Sequence, residues 1–367
     1  MNFKETKGLP AYETENEHGR ASGFNPPNRF LNTSFEPLEL ENDFYEEEEK
    51  NAIKTTFFKD ATKTILAKND SPDIPFTYSL NPYRGCEHGC IYCYARPTHE
   101  YLGFSAGLDF ETKIMVKEDA PQLLEEAFQK KNWKPSMIAL SGNTDCYQPI
   151  ERKLEITRKC LEVFLKYRNP VGIVTKNALI QRDIDILQKL AEHQLVHVLV
   201  SVTSLNNDLT NVMEPRTSRP EKRLETIAKL AEAKIPVGVN VAPIIPGLND
   251  EEIPSILKAA SLHGAMYAGY IIVRLPYSVE PLFVDWLNRN FPDRAKKITN
   301  HLKEMRGGKL NNAEWGKRFR GEGKYAEMID ILFKKNSSRY GLNKHFPNIR
   351  YDSFLRDEKE KQQLKLF

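Results

Sequence analysis

The chain has 367 residues, of which 40% are hydrophobic and 28% charged, and its net charge is only +3. Such a length exceeds one ordinary domain of ~100–200 residues but suits a barrel of ~200–250 residues with appendages, and the apolar content excludes wholesale disorder. Charge so nearly balanced means that any nucleic-acid affinity must come from a local basic patch. No apolar run approaches the ~18 residues that span a bilayer, and the N-terminus MNFKETKGLP lacks a secretory apolar stretch, so a cytoplasmic protein without membrane contact is expected.

Residues 1–60 combine turn formers (Gly23-Phe24-Asn25-Pro26-Pro27) with the acidic run Glu46 to Glu49 and carry no sustained apolar period, as an irregular N-terminal arm would. From residue 76 a regular alternation begins. Short β-branched runs at 76–80, 137–140, 171–175, 196–202, 237–241 and 270–273 predict strands, and helical periods fill 118–130, 152–167, 182–193, 219–234 and 251–263. The run VHVLVSV at 196–202 is apolar almost throughout, as a parallel strand covered on both faces should be. Leu224, Ile227, Ala228 and Ala231 fall on one helical face, behind a Pro220 suited to a first turn. This alternation predicts an α/β fold, a partial parallel (βα)6 barrel over residues 61–278 with too little chain for eight units. Helical patterns at 281–290, 293–305 and 325–335 predict a C-terminal extension over 279–345, followed by a charged tail at 346–367. Ligands of such barrels collect at the carboxyl ends of the strands.

Immediately after the first predicted strand stands NPYRGCEHGCIYCYARP, with Cys86, Cys90 and Cys93 spaced C-x3-C-x2-C. Five cysteines in all, three of them within eight residues, argue against a disulfide framework and for metal ligation. Three thiolates on one loop can hold three irons of a 4Fe-4S cubane and leave the fourth iron open, since no fourth cysteine lies within fifty residues. The alternative is a zinc-stabilised nucleic-acid-binding module without radical chemistry, in which His88 or His99 completes a Cys3His set.

This spacing, with the aromatic Tyr92 before the third cysteine, resembles the radical S-adenosylmethionine (radical SAM) superfamily. The stretches NPYRGCEHGCIYCYARPTHEYLG, MRGGK and GKRFRGEGKYA resemble its branch related to spore photoproduct lyase, the DNA repair photolyase-like proteins. The resemblance implies an enzyme, lyase-type in that branch. Its open iron chelates S-adenosylmethionine, and an electron from a reductant protein or flavodoxin-like donor cleaves that cofactor to a 5′-deoxyadenosyl radical. It also implies cofactor contacts from the strand ends. Gly142, Asn143, Thr144 and Asp145 would meet the ribose; Lys176 and Ser201 would bind the methionine carboxylate, with Arg216 as a further anion anchor; Asn240 opens the segment in which Val241, Ala242 and Ile244 would line adenine. A helix-capping Asx turn is the other reading of Asn143, and a surface ion pair that of Arg216. The branch's hydrogen-donor cysteine has no counterpart upstream of Asp145, so Cys146 on its other side is the candidate donor or else a structural thiol. Cys160 is assigned to helix packing.

The segment from Lys303 to Lys324 carries a net +4 with interleaved glycines and the aromatics Trp315 and Phe319. That mixture suits phosphate contact with base stacking, hence a nucleic-acid partner. It suits equally a structured loop that closes the barrel mouth, its arginines paired with carboxylates of the body.

Overall fold

The computed structural model describes residues 19–26, 28, 54–343 and 348–356. Among them ten strands form two sheets: β1 (Thr56–Lys59), β2 (Leu66–Lys68), β3 (Tyr78–Leu80), β4 (Tyr83–Arg84), β5 (Lys113–Val116), β6 (Ile138–Leu140), β7 (Val171–Thr175), β8 (Val196–Ser201), β9 (Val237–Ile244) and β10 (Ala268–Ile272). The larger sheet has the order β10-β9-β8-β7-β6-β3-β2. Its six strands from β3 to β10 pair in parallel, and β2 joins the β3 edge antiparallel. This is the partial parallel barrel that the βα alternation predicts.

Side chains alternate across these strands. Val171 and Ile173 of β7, Val198 and Val200 of β8, and Val237, Val239 and Val241 of β9 belong to the main apolar core. Of the intervening positions on the other face, Val174, Leu199, Asn240 and Gly269 stay half-buried. One face of the sheet is therefore sealed while the other keeps room for a ligand.

The helices are α1 (Leu108–Thr112), α2 (Ala120–Gln129), α3 (Glu151–Leu154), α4 (Ile156–Tyr167), α5 (Ile184–Glu192), α6 (Asn207–Met213), α7 (Pro220–Glu232), α8 (Ile253–Leu262), α9 (Val279–Asn290), α10 (Pro292–Glu304) and α11 (Gly323–Arg339). The last three form the expected C-terminal helical extension. The helix expected at 152–167 is interrupted at Glu155, which adopts φ of 54°. The helix expected from 182 is preceded by a 3-10 turn, Ala178–Asp183, whose first turn is capped by the Asn177 side chain accepting from the amide of Leu179. On α7 the buried positions are Pro220, Arg223, Thr226, Ile227 and Leu230, so the stripe is rotated from the apolar one, with Leu224 and Ala228 only half-buried. A buried arginine on that face is invisible to a count of apolar residues.

A second, three-stranded sheet with the order β1-β5-β4 had no counterpart in the expected strands. Its members are two to four residues long, too short for a period to register. β1 lies within the stretch expected to be irregular, yet it pairs with β5 from Thr56↔Lys113 to Lys59↔Val116. Upstream, Ala21 and Ser22 are also buried, and the Ser22 amide donates to Glu111 Oε1 at 3.1 Å. The acidic run Glu46 to Glu49 lies outside the described residues. So does 357–367, whereas Arg350 and Leu355 of the expected tail dock through backbone bonds to Gln194 and Tyr167.

The sheet does not close on itself; β10 and β2 are its two free edges. The basic segment after α10 spans that gap. Its Phe319 carbonyl accepts from the Ile272 amide on β10 at 2.9 Å, and Arg306 donates to the Val273 carbonyl at 2.9 Å. Farther along, Arg318 Nε and the Gly316 amide both donate to Asp73 in the β2–β3 connection, at 2.8 and 3.2 Å.

Candidate active site at the carboxyl ends of the strands

The cysteine loop runs from β4 to a 3-10 turn, Arg96–Leu102. It is tied to the body by backbone bonds, Cys86 N to Phe110 O at 2.9 Å and Ile91 N to Met213 O at 3.1 Å. Gly85 and Gly89 adopt φ of 78° and 63°; a Cβ on Gly89 would also stand 2.7 Å from Glu111 Oε2, so this turn requires glycine.

Arg96 holds the loop from inside. Fully buried, it donates to the carbonyls of Cys90 (3.0 Å), Gly89 (3.1 Å), Ala106 (3.1 Å) and Gly107 (3.0 Å), and to Glu111 Oε1 at 2.6 Å. Five donors in a rigid fork meet five acceptors, which is work a lysine could not do. A second buried pair stands behind the loop. Glu214 is bonded by Arg223 and by the Tyr92 hydroxyl, and Thr203 Oγ1 donates to it at 2.6 Å. Tyr92 is thus anchored through its hydroxyl while its ring faces Lys176, whose Nζ lies 5.7 Å from the ring centroid. No local sequence pattern marks Glu111, Glu214 or Arg223 as part of this site. For Arg96, its place in YARP, inside a metal-binding loop, was the available signal.

All five cysteines are free; Cys86 and Cys90 are buried and Cys93 half-buried. Burial pushes the Cys86 thiol well up, and Asp145 and the other two thiols push it further. Burial and then Glu214 raise Cys90, opposed by Lys176; burial raises Cys93, opposed by Arg96 and Lys176. Three clustered thiols that resist ionisation on their own are stable as thiolates when cationic iron compensates them, so the donor set fits an iron–sulfur cluster. Among the described residues no three His, Cys, Asp or Glu side chains converge as a single metal ion requires. A cubane reaches its ligands from different corners, so its thiolates stand farther apart than those around one zinc ion. Of the imidazoles proposed for zinc, His88 is engaged by polar neighbours, whereas both ring nitrogens of His99 are buried without a hydrogen-bond partner among the described residues. His88 lies 3.0 Å from Asn177 Nδ2 and 3.5 Å from Asp145, and His99 packs against the rings of Phe104 and Phe110.

The other expected contacts divide into spent and available groups. Asp145 Oδ1 accepts from Thr175 Oγ1 (2.8 Å) and the Tyr147 amide (2.9 Å), and Oδ2 from the Lys176 amide (2.8 Å), so this carboxylate ties the end of β6 to the end of β7. Thr144 is buried with its hydroxyl on the Tyr83 carbonyl, and Gly142 lends its carbonyl to Tyr94. A Cβ on Gly142 would crowd Ser79 at 2.9 Å. Arg216 reaches Glu87 at 3.5 Å, the ion-pair reading. Val241 and Ile244 are packed in the main core. The Cys146 side chain is fully buried in that same core, its amide on Ser141 Oγ and its carbonyl on Thr157 Oγ1, the setting expected of a structural thiol rather than a hydrogen donor. Cys160 is core as assigned.

What stays available sits together at the mouth. Asn143 is exposed beyond β6, and Lys176 beyond β7 has no carboxylate partner among the described residues. Ser201 ends β8 beside its register partner Asn240 on β9, on the open face of the sheet.

The topology thus sets three free thiols on one loop that follows the first parallel strand of a partial barrel. Residues 80–260 match the family model described as the radical SAM superfamily. An uncharacterized protein of Mycobacterium tuberculosis is 33% identical over 245 residues, 66% of this chain and 72% of that protein. One of Methanocaldococcus jannaschii is 29% identical over 223 residues, 61% of this chain and 80% of that one. Spore photoproduct lyase complexed with dinucleoside spore photoproduct shares the fold, with a TM-score of 0.57 and 18% identity over 82% of this chain and 85% of that one. A lyase mutant with bound S-adenosylmethionine and the same dinucleoside gives 0.55 and 18% over 76% and 77%. The chain belongs to the radical SAM superfamily, and membership implies a 4Fe-4S cluster and S-adenosylmethionine. Among the described residues no helix is long and apolar enough to cross a membrane.

Proposed function

We propose that the protein is a cytoplasmic radical SAM enzyme in which Cys86, Cys90 and Cys93 are the cluster ligands and one iron is left for S-adenosylmethionine. The observation that carries this reading is the set of three free thiols on one buried loop, with the unpaired ammonium of Lys176 acting electrostatically on Cys90 and Cys93. The cluster and cofactor together would supply a 5′-deoxyadenosyl radical that abstracts hydrogen from substrate. Lys176 and Ser201 hold the cofactor's carboxylate, and Asn143 and Asn240 offer amides to its ribose and base. Asp145 acts at one remove, fixing the amide of Lys176. Tyr92, pinned by Glu214, keeps one wall of the pocket in place.

The substrate in this reading is a nucleic acid or nucleotide and the reaction is lyase-like, with a flavodoxin-like protein as electron donor. Support comes from the dinucleoside in the lyase structures that share the fold and from the half-exposed ring of Tyr94 next to Cys93. An arm (1–60), a core (61–278), a helical extension (279–345) and a tail (346–367) complete the organisation, with β1 and residues 348–356 packed onto the core. The test is anaerobic: reconstituted, reduced protein converts S-adenosylmethionine to 5′-deoxyadenosine, and deuterium from a labelled oligonucleotide appears in that product. No turnover above a Cys90→Ala control overturns the radical chemistry; turnover without transfer from any oligonucleotide overturns the substrate class alone.

A further inference from the structure

Arg274 stands two residues past the end of β10, at the mouth of the barrel, and it and Arg306 each keep an unsatisfied Nε there. The Arg274 Nε is shut off from solvent and has no hydrogen-bond partner among the described residues. Among the described residues neither an ion pair nor a hydrogen bond engages the rest of its guanidinium. What it has instead is two rings, its Cζ lying 5.8 Å from the centroid of Tyr94 and 5.0 Å from that of Phe319. Asp73 is within electrostatic range, but Arg318 and the Gly316 amide already occupy that carboxylate. Arg306 deepens the imbalance. More deeply buried than Arg274 and without a carboxylate among the described residues, it bonds to the carbonyls of Val273, Lys317 and Arg318, and its pKa is pushed down to about 10 by burial and then by Arg274. Burial and the Arg318 charge likewise lower Arg274.

Partly buried cations without a counter-charge are costly, and removing water from an unpaired donor adds to the cost. Proteins tolerate such a group where something else completes it. The location says what that something is. Tyr94 follows Cys93 directly, so its ring contact places the Arg274 guanidinium beside the cysteine loop.

We propose that Arg274 is the receptor for an oxyanion of the substrate, a phosphoryl or carboxylate group, taken as a fork-to-fork pair between the rings of Tyr94 and Phe319. This deepens the substrate side of the enzyme proposed above and rests on that reading for its place in a reaction, though anion binding itself needs no turnover. Arg274 then sets specificity: a neutral analogue leaves the guanidinium unpaired and is rejected. The flanking rings favour an anion borne by a flat, stackable group.

Calorimetric titration of the full-length, cluster-reconstituted protein tests this with phenyl phosphate, benzoate and the neutral analogue phenol. The proposal expects one anion to bind with phenol at least tenfold weaker, and the stronger of phenyl phosphate and benzoate identifies the source of the oxyanion. Arg274→Gln should lose that preference by tenfold or more, Arg274→Lys should recover part of it, and Lys296→Gln, an equal change of charge at an exposed site on α10, should leave it intact. The absorption of the bound cluster reports that each variant is folded. Equal affinity of wild type and Arg274→Gln for the anions, or an equal loss in Lys296→Gln, overturns the proposal. Absence of 5′-deoxyadenosine from wild type would overturn the radical reading instead, leaving the anion titration readable.

Discussion

The cysteine loop and the basic segment that spans the barrel gap use charge in opposite ways. Around the loop, buried charges do the structural work: Arg96 with Glu111, and Arg223 with Glu214, are ion pairs with no solvent exposure on either side. In the basic segment, a conspicuous run of cations is mostly consumed within the protein. Arg318 is held by Asp73, Lys317 by Glu314 and Glu322, Arg306 by carbonyls, and Arg320 lies over the Tyr270 ring at 3.7 Å. Lys176 and Arg274, two cations at the strand ends without a carboxylate partner among the described residues, fall outside the run altogether. Formal charge along a sequence is thus a poor guide to charge available to a ligand, because a folded chain pairs its own ions first.

The sharpest way to break this contrast is in the loop itself. Cys90→Ala should abolish both the cluster absorption and 5′-deoxyadenosine formation, whereas replacing any cation of the basic segment should leave the cluster in place. Next in size, Glu214→Ala strands Arg223 and frees the Tyr92 hydroxyl; breaking such a buried pair costs about 3–5 kcal/mol, read as a fall in denaturation midpoint. Lys176→Ala should weaken S-adenosylmethionine by roughly 10–100-fold, the equivalent of one charge-assisted bond of about 1.5–3 kcal/mol, with little change in thermal stability. Equal losses of stability for Lys176→Ala and Glu214→Ala would erase the distinction between an available and a spent charge.

Acid provides a further probe of the loop. Burial holds His99 down to about 4, below the ~6.5 of a free imidazole. Between those values the unfolded chain binds the extra proton, so its contribution to stability is complete above ~6.5 and drains away toward pH 4, by up to about 1.4 kcal/mol per pH unit. His99→Phe should flatten that part of the stability profile. The smallest effect belongs to the basic segment: Arg318→Ala should cost about 1–2 kcal/mol of stability through loss of the Asp73 bridge and change salt-sensitive oligonucleotide binding by less than twofold. A large loss of binding with unchanged stability would return the segment to the role of a nucleic-acid patch.

Much of the architecture was legible because it rests on local periodicity. Runs such as VHVLVSV announce buried parallel strands, and the C-x3-C-x2-C spacing places three soft ligands on one turn whatever the rest of the chain does. The second sheet was not legible, since β1, β4 and β5 are too short to carry a period and are made by pairings across about thirty to sixty residues. Nor could local pattern tell a spent polar group from an available one. Asp145 looked free at a strand end, yet its oxygens accept from Thr175, Tyr147 and Lys176; Cys146 looked poised beside it, yet its thiol points into the core.

By itself, then, the order of residues determined the βα succession, the metal-binding turn and the position of that turn after the first parallel strand, all properties of neighbours in the chain. Only the tertiary structure decided which charges cancel. An ion pair joins residues as far apart as Asp73 and Arg318, and a cation such as Arg274 is recognised as unpaired only when every neighbour in space, rather than in sequence, has been found.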